Sequence, residues 1–450
     1  MTEEIQFRII VGSYEHSLLC LSVTIPQQKG IDETPDVHFH PVFHFEAHTM
    51  SIRAMDVGKR YLVSGSNDEH IRIYDMQKRK ELGTLLKHQG SITKLVFSDE
   101  AKKDQDADNE YLSHKTGRWL LSAAEDGNIL IWRVKDWEQF GTLKGHKGSV
   151  NDLCIHPSGR VAISVSSDRT VKLWNLMMAR KASTLKLRGK TTLGQLPYFC
   201  KFDKKSGGEY FVIGLTTRLI VYKTREARIL HVYTVEQTIM CMEFLVLGEK
   251  QYLVLGMNDG SLNFYGFDGE EEEKKKEDEE DGDGEDEDEE ERDEVEVDAD
   301  DSDEEESQQN HHNKTPKATP LGSPDFQLQG HATRVKGFSI YQQKRLSDGK
   351  ILTYIVSISS DGRIVVWDMD KKEQVAEYST GERLNVVSTV QESIEKPESM
   401  RHEVEVRAEK SAAESESDGE GLVKLMKGKK RSKKQKRRDK KKLIRVELPN

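Results

Sequence analysis

Short runs of alternating apolar and polar residues, separated by turn residues, recur along most of this chain. The clearest stretch covers residues 144–176, KGHKGSVNDLCIHPSGRVAISVSSDRTVKLWNL. An alternating run from Val150 to Ile155 meets the turn His156-Pro157-Ser158-Gly159. A second run, Val161 to Val165, leads through Ser167-Asp168 to a third that closes on Trp174-Asn175. Three short runs with turn chemistry between them predict an antiparallel meander. The same pattern returns elsewhere, so the repeat is the unit to be read.

The first runs, Phe7 to Gly12 and Leu18 to Val23, match only the second half of the repeat. After a Pro-containing loop (Pro26 to Asp36) and an alternating run from Val37 to Phe45, His48 opens a complete copy with Ser64, Asp68 and Tyr74-Asp75. The next copy runs from His88 through Asp126 to Trp132, with a polar insertion, Asp99 to Gly117, expected as a loop. His146, Ser164, Asp168 and Trp174 mark the third. Degenerate copies span Lys190 to Tyr222 and Gln237 to Tyr265, and a strong one carries His331, Ser357, Asp361 and Trp367-Asp368. Arg383 to Val390 resembles a lone first strand.

An acidic turn residue stands six positions before the closing aromatic in five copies, Asp68/Tyr74, Asp126/Trp132, Asp168/Trp174, Asp259/Tyr265 and Asp361/Trp367. Where loops are short the aromatic recurs at about 42 residues, as from Trp132 to Trp174. Four strands per unit with these marks are the signature of a WD-repeat propeller. Six full copies and one split copy predict an all-β, seven-bladed ring. The strand near 383–390 would pair with the N-terminal strands and close it, because an open array leaves a sheet uncovered at each end.

Composition changes the picture in two places. The net charge of −11 averages two opposite blocks. Residues 270–306 hold 27 acidic and 4 basic residues, a net of −23, whereas residues 424–445 hold 14 basic and one acidic, a net of +13. The remainder is close to neutral. The acidic block is too poor in apolar residues, and too self-repelling, to fold alone. The expected organisation is therefore propeller over 1–269, a disordered acidic insertion over 270–325 between the sixth and closing full blades, propeller again over 326–390, and a disordered tail over 391–450. Ser302, followed by Asp-Glu-Glu-Glu, would suit an acid-directed kinase. The tail carries Lys429, Lys430, Arg431, Lys433, Lys434, Lys436, Arg437, Arg438, Lys440, Lys441 and Lys442. Such a run without aromatics suits import receptors or phosphate backbones, so sequence-independent RNA affinity and nuclear or nucleolar retention are expected.

Candidate chemistry narrows the reading further. His146, Asp168 and Ser164 have the residue types of a hydrolase set, but a set repeated in several copies is architecture, since an enzyme needs one site. Gly189-Lys190-Thr191 lacks the glycine five positions earlier that a phosphate loop requires. His38, His40, His44 and His48 lack a completing Cys or Asp for a metal. Neither a cofactor nor a metal is expected, nor catalysis. Cys20, Cys154, Cys200 and Cys241 sit far apart inside apolar runs and read as reduced core residues. No run of about 18 apolar residues predicts a membrane helix, and the acidic start of the chain, without a secretory apolar core, predicts an intracellular protein.

Several stretches resemble the PAK-interacting WD-repeat family: SNDEHIRIYDM (66–76), AAEDGNILIWRVKDWE (123–138), LKGHKGSV (143–150), IHPSGRVAISVSSDRTVKLWNL (155–176) and SSDGRIVVWDM (359–369). The similarity covers roughly residues 5–390 apart from the acidic insertion, and the basic tail fits it. The resemblance implies a nucleolar protein needed for maturation of the large ribosomal subunit precursor. With it, the expected partners are assembly factors or ribosomal proteins and, through the basic tail, pre-rRNA, and the protein is expected to be a monomer. In animals it also implies a negative regulator that binds the N-terminal part of a PAK-type, Rho-GTPase-activated kinase, which stands as the alternative. The family supplies a His–Ser–Trp network, with the Asp tightening its turn, and no catalytic or ligand residues. Independently of the family, the acidic block suggests a third possibility, a histone-binding adaptor.

Overall fold

In the computed structural model the chain is described at residues 4–26, 37–99, 115, 117–269, 316–344 and 349–394. The acidic run with Ser302, the basic tail, most of the Asp99 to Gly117 insertion and nearly all of the Pro26 to Asp36 loop lie outside those residues.

The 144–176 stretch forms the strands Val150–Ile155, Val161–Ser166 and Thr170–Asn175, and Arg180–Lys186 adds a fourth, all antiparallel neighbours. Val161–Ser166 is buried at every position but its first, while Arg180–Lys186 alternates between exposed and half-buried until it is buried near its end. The cause is layering. An inner strand has a neighbouring sheet against each face, so its apolar run is nearly continuous, whereas the outermost strand keeps one wet face. The hairpin between the first two strands turns at Gly159, which adopts φ 69° while its N–H donates to the His156 carbonyl at 2.8 Å. The residue after the turn Asp is left-handed in every marked copy: Glu69, Gly127, Arg169, Gly260 and Gly362. A Cβ on Gly127 would also sit 2.9 Å from the His146 carbonyl oxygen, so glycine is required there on both counts.

Seven such sheets form the blades of a β-propeller ring. Blade one joins Leu384–Gln391 to Glu4–Ser13, Ser17–Pro26 and His38–Glu46. Blade two runs through Ile52–Gly58, Tyr61–Ser66, Ile71–Asp75 and Lys80–Leu85; blade three through Ile92–Phe97, Trp119–Ala124, Ile129–Arg133 and Glu138–Leu143. Blade four is the meander just described. Blade five holds Phe199–Phe202, Tyr210–Gly214, Arg218–Lys223 and Arg228–Thr234, and blade six Ile239–Leu247, Lys250–Met257, Ser261–Gly266 and Phe326–Gln329. Val335–Lys344, Ile351–Ser359, Arg363–Asp368 and Glu373–Ser379 make blade seven. The first strand of each blade packs beside the first strand of the next, around to blade one again.

Closure follows the expected pairing. Leu384–Gln391 runs antiparallel to Glu4–Ser13, with Val387 opposite Val11 and Val390 opposite Arg8. The seam is also filled by aromatic packing: Phe7 of blade one stacks on Tyr341 of blade seven, ring centres 4.5 Å apart, and neither ring is exposed.

Two boundaries differ from the expectation. The acidic run does not separate blade six from the closing blade but lies inside blade six, because its fourth strand, Phe326–Gln329, pairs with Ser261–Gly266 across the run. The repeat visible in the sequence is offset by one strand from the structural blade, which moves the apparent junction. In addition, Ala318–Pro320, within the segment expected to be disordered, lies parallel to Arg228–Thr234 as an extra edge strand on blade five. An edge is the position a Pro such as Pro320 tolerates, since its missing N–H removes no ladder bond there. The described chain also continues past 390, to a short 3-10 turn at Glu392–Ile394.

Candidate functional site: buried relays and a charged channel

In blade four the Trp174 Nε1–H donates to Ser164 Oγ at 2.7 Å, and Ser164 Oγ lies 2.7 Å from His146 Nε2. The other imidazole nitrogen, Nδ1, is 3.0 Å from Asp168 Oδ2. With the serine oxygen accepting from tryptophan, its hydroxyl donates to Nε2, and His146 is neutral with its proton on Nδ1, directed at the carboxylate. Burial pushes the His146 imidazole below its ordinary value, outweighing the hydrogen bond and charge of Asp168. Asp168 in turn accepts from the Lys147 and Thr170 N–H groups, each at 2.9 Å, which ties the turn to the loop entering the blade. Burial opposes its ionisation, but those bonds and His146 hold its carboxyl well below the usual carboxylate range.

The arrangement recurs. In blade three His88 meets Ser122 at 2.8 Å and Asp126 at 3.0 Å, and Trp132 donates to Ser122 at 2.8 Å. Burial raises the Asp126 carboxyl, but His88 and the Asn128 and Gln89 N–H groups bring it down to about 2. In blade two His48 meets Ser64 at 2.7 Å and Asp68 at 3.0 Å, with Tyr74 at the aromatic position. In blade seven Trp367 and His331 each reach Ser357 at 2.8 Å. There Asp361 stands 3.7 Å from His331 and accepts instead from the Ala332 and Arg363 N–H groups. Ser122, not singled out from the sequence, was legible in principle: it precedes Trp132 by ten positions, as Ser164 precedes Trp174.

All four serines are fully buried, and in three blades the oxygen already accepts from tryptophan. The degenerate copies lack the relay for a simple reason. The position ten before Tyr222 is Val212 and the position ten before Tyr265 is Leu255, both buried. Tyr222 instead stacks on Phe211, ring centres 4.8 Å apart and nearly coplanar. The tail residues from Lys429 to Lys442 lie outside the described residues. His44 faces Glu382 at 3.2 Å, while Cys20, Cys154, Cys200 and Cys241 are unbridged. No group of three or more His, Cys, Asp or Glu able to hold a metal occurs among the described residues.

A second set of polar residues escaped the sequence pattern. Asp56 of blade two accepts the Phe97 N–H of blade three at 2.7 Å and is met by Lys115 at 2.6 Å. Asp152 of blade four accepts the Cys200 N–H of blade five at 3.0 Å and pairs with Lys94 of blade three at 3.0 Å. Lys201 of blade five pairs with Glu243 of blade six at 2.7 Å. Burial disfavours both charges of that last pair, but their mutual attraction prevails, raising the Lys201 amine and lowering the Glu243 carboxyl. Apart from Lys115, which precedes the second strand of blade three, these groups stand on the first strands, which line the central channel, and tie neighbouring blades. Their one sequence signal is a charge inside an otherwise apolar inner run.

Fold and relays together define a WD-repeat propeller. Residues 39–75, 111–133 and 137–175 match the family model described as WD domain, G-beta repeat. Protein MAK11 of Saccharomyces cerevisiae is 46% identical over 449 residues, covering 98% of each chain. The p21-activated protein kinase-interacting protein 1-like protein of Gallus gallus is 35% identical over 263 residues, 58% of this chain and 62% of its own. The human p21-activated protein kinase-interacting protein 1 is 38% identical over 89 residues, 20% and 22% of the two chains. This chain belongs to the WD-repeat family of MAK11 and the p21-activated protein kinase-interacting proteins.

Proposed function

We propose that this chain is a non-catalytic scaffold for assembly and maturation of the large ribosomal subunit precursor, held in the nucleolus by its basic tail. One observation carries the reading. The likeness to yeast MAK11 spans 98% of both chains and so takes in the acidic insertion and nearly all of the tail, not the propeller alone. The family resemblance read from the sequence implies the same role, maturation of the large ribosomal subunit precursor. The relays support the absence of catalysis: each serine that resembles a nucleophile is buried, and its oxygen is engaged in a structural bond. A rigid disc with two loop-bearing faces suits a platform for assembly factors or ribosomal proteins, and the tail adds sequence-independent RNA affinity.

A second reading, binding to a p21-activated kinase, takes its support from the names of the vertebrate relatives, whose similarity covers less of the chain. Depletion in the organism that makes this chain separates the two. Accumulated large-subunit precursors, with nucleolar signal lost on deleting residues 424–450, are expected. Normal precursor processing with altered kinase activity would instead establish the second reading.

A further inference from the structure

The central channel is electrically lopsided. Around blades three to six its cations are paired, Lys94 with Asp152 and Lys201 with Glu243. Of its cations around blades seven, one and two, only Arg53 pairs its side chain with a carboxylate among the described residues. At the mouth formed by the loops that enter the first strands, Arg334 and Lys336 of blade seven, Arg383 of blade one and Arg53 of blade two line one cavity of about 750 Å³. Ser51, Asn67, Ser360 and Asn385 add hydrogen-bonding groups to its wall, and no carboxylate lines it.

Each cation is held in place by something other than a full counter-charge. Arg334 Nε donates to Ser360 Oγ at 3.3 Å. The Arg383 backbone is fixed on both sides, its carbonyl accepting from the Tyr14 N–H at 2.7 Å and its N–H donating to Glu15 at 3.3 Å. Among the described residues Arg53 alone of the four pairs its side chain with a carboxylate, Glu125 at 2.5 Å, and both members of that pair are exposed and solvent-screened. Lys336 is half-buried without an acidic partner among the described residues. Burial, reinforced by the Arg334 and Arg53 charges, pushes its amine below the ordinary value. Three guanidinium groups and an ammonium thus converge from strand starts in three blades with little to neutralise them.

We propose that this mouth is a docking site for a carboxylate-rich segment of a partner protein. Guanidinium forks match carboxylates in a bidentate geometry, and an extended peptide entering end-on brings several of them to a concave site of this size. Nucleic acid suits the cavity less well. A duplex is too wide for a funnel of that volume, and a single strand needs stacking platforms, of which Tyr14 is the one aromatic ring in the wall. The site does not depend on the ribosomal reading, because it is defined by the charges themselves.

The test uses the full chain, with the Lys and Arg residues between 429 and 442 changed to Gln in every sample so that the tail does not capture the probe. A fluorescein-labelled poly-glutamate peptide is titrated at about 150 mM salt and followed by anisotropy, with a single-stranded RNA as a parallel probe. Replacing Arg334, Lys336 and Arg383 together by Ala is expected to weaken peptide binding by about tenfold or more, whereas Arg334→Lys with Arg383→Lys retains most of it. If the triple variant melts early, Lys336→Gln alone reports the same loss at smaller size. Unchanged peptide affinity in these variants overturns the proposal, as does a loss confined to the RNA probe.

Discussion

Ser164 shows how much one buried hydroxyl does in this molecule. It satisfies the Trp174 indole N–H and the His146 Nε2 together, and neither ring has another partner for that atom among the described residues. Ser164→Ala therefore strands two buried polar groups at about 1–3 kcal/mol each, a loss of about 2–6 kcal/mol. Urea unfolding measures it, with Ser158→Ala as the control, since Ser158 and His156 meet in an exposed turn. The Ser–Trp half of the relay was readable because it is local. The two residues lie on strands joined by a tight turn, Ala162 pairing with Trp174, so their separation is ten in blades three, four and seven. The histidine has no such constant. It stands 18, 34 and 26 positions from its serine in blades four, three and seven, because a loop of any length leads from the first strand to the second.

At the scale of elements, the seam of blade one is held by a pair that no local pattern indicates. Arg8, almost wholly buried, donates from Nη2 to Glu392 Oε1 at 2.8 Å and from Nε to Oε2 at 3.1 Å, while Ser22 also donates to that carboxylate at 2.9 Å. The bidentate geometry fixes the last turn of the propeller onto its first strand. Glu392→Ala leaves a buried guanidinium without its counter-charge and is expected to cost about 3 kcal/mol in thermal or urea unfolding. Glu392→Gln, which keeps an acceptor, is expected to lose less. In sequence the arginine is a single charge inside an apolar strand and the glutamate falls just past the expected end of the ring. Their relation exists only once the two chain ends meet. The Ala318–Pro320 strand was equally hidden, since three residues around a Thr-Pro pair carry no strand periodicity, and the exposed edge of blade five recruits them.

For the molecule as a whole, closure decides whether seven small sheets behave as one body. Each blade buries its faces on two neighbours, so an open ring would leave two sheets uncovered. A chain ending at residue 383 lacks the first strand of blade one and is expected to lose its single sharp unfolding transition and to associate through the bare edge of Glu4–Ser13. A chain ending at residue 394 retains the whole ring and is expected to melt as the full chain does. Circular dichroism melting with light scattering distinguishes the two truncations, and equal behaviour would contradict the closure argument.

By itself, the order of residues determined the strands, their turns, the recurrence of the marked positions and hence the number of blades. All of these rest on interactions over a few residues: the two-residue period of a strand, the left-handed turn after the Asp, the register across a hairpin. Tertiary structure alone decided that the acidic run interrupts blade six, that Arg8 meets Glu392, and that Arg53, Arg334, Lys336 and Arg383 share one cavity. The physical reason is the ring, which brings the starts of inner strands together around an axis whatever their distance along the chain. The charge density of the channel mouth is a property of that convergence and of no single stretch of sequence.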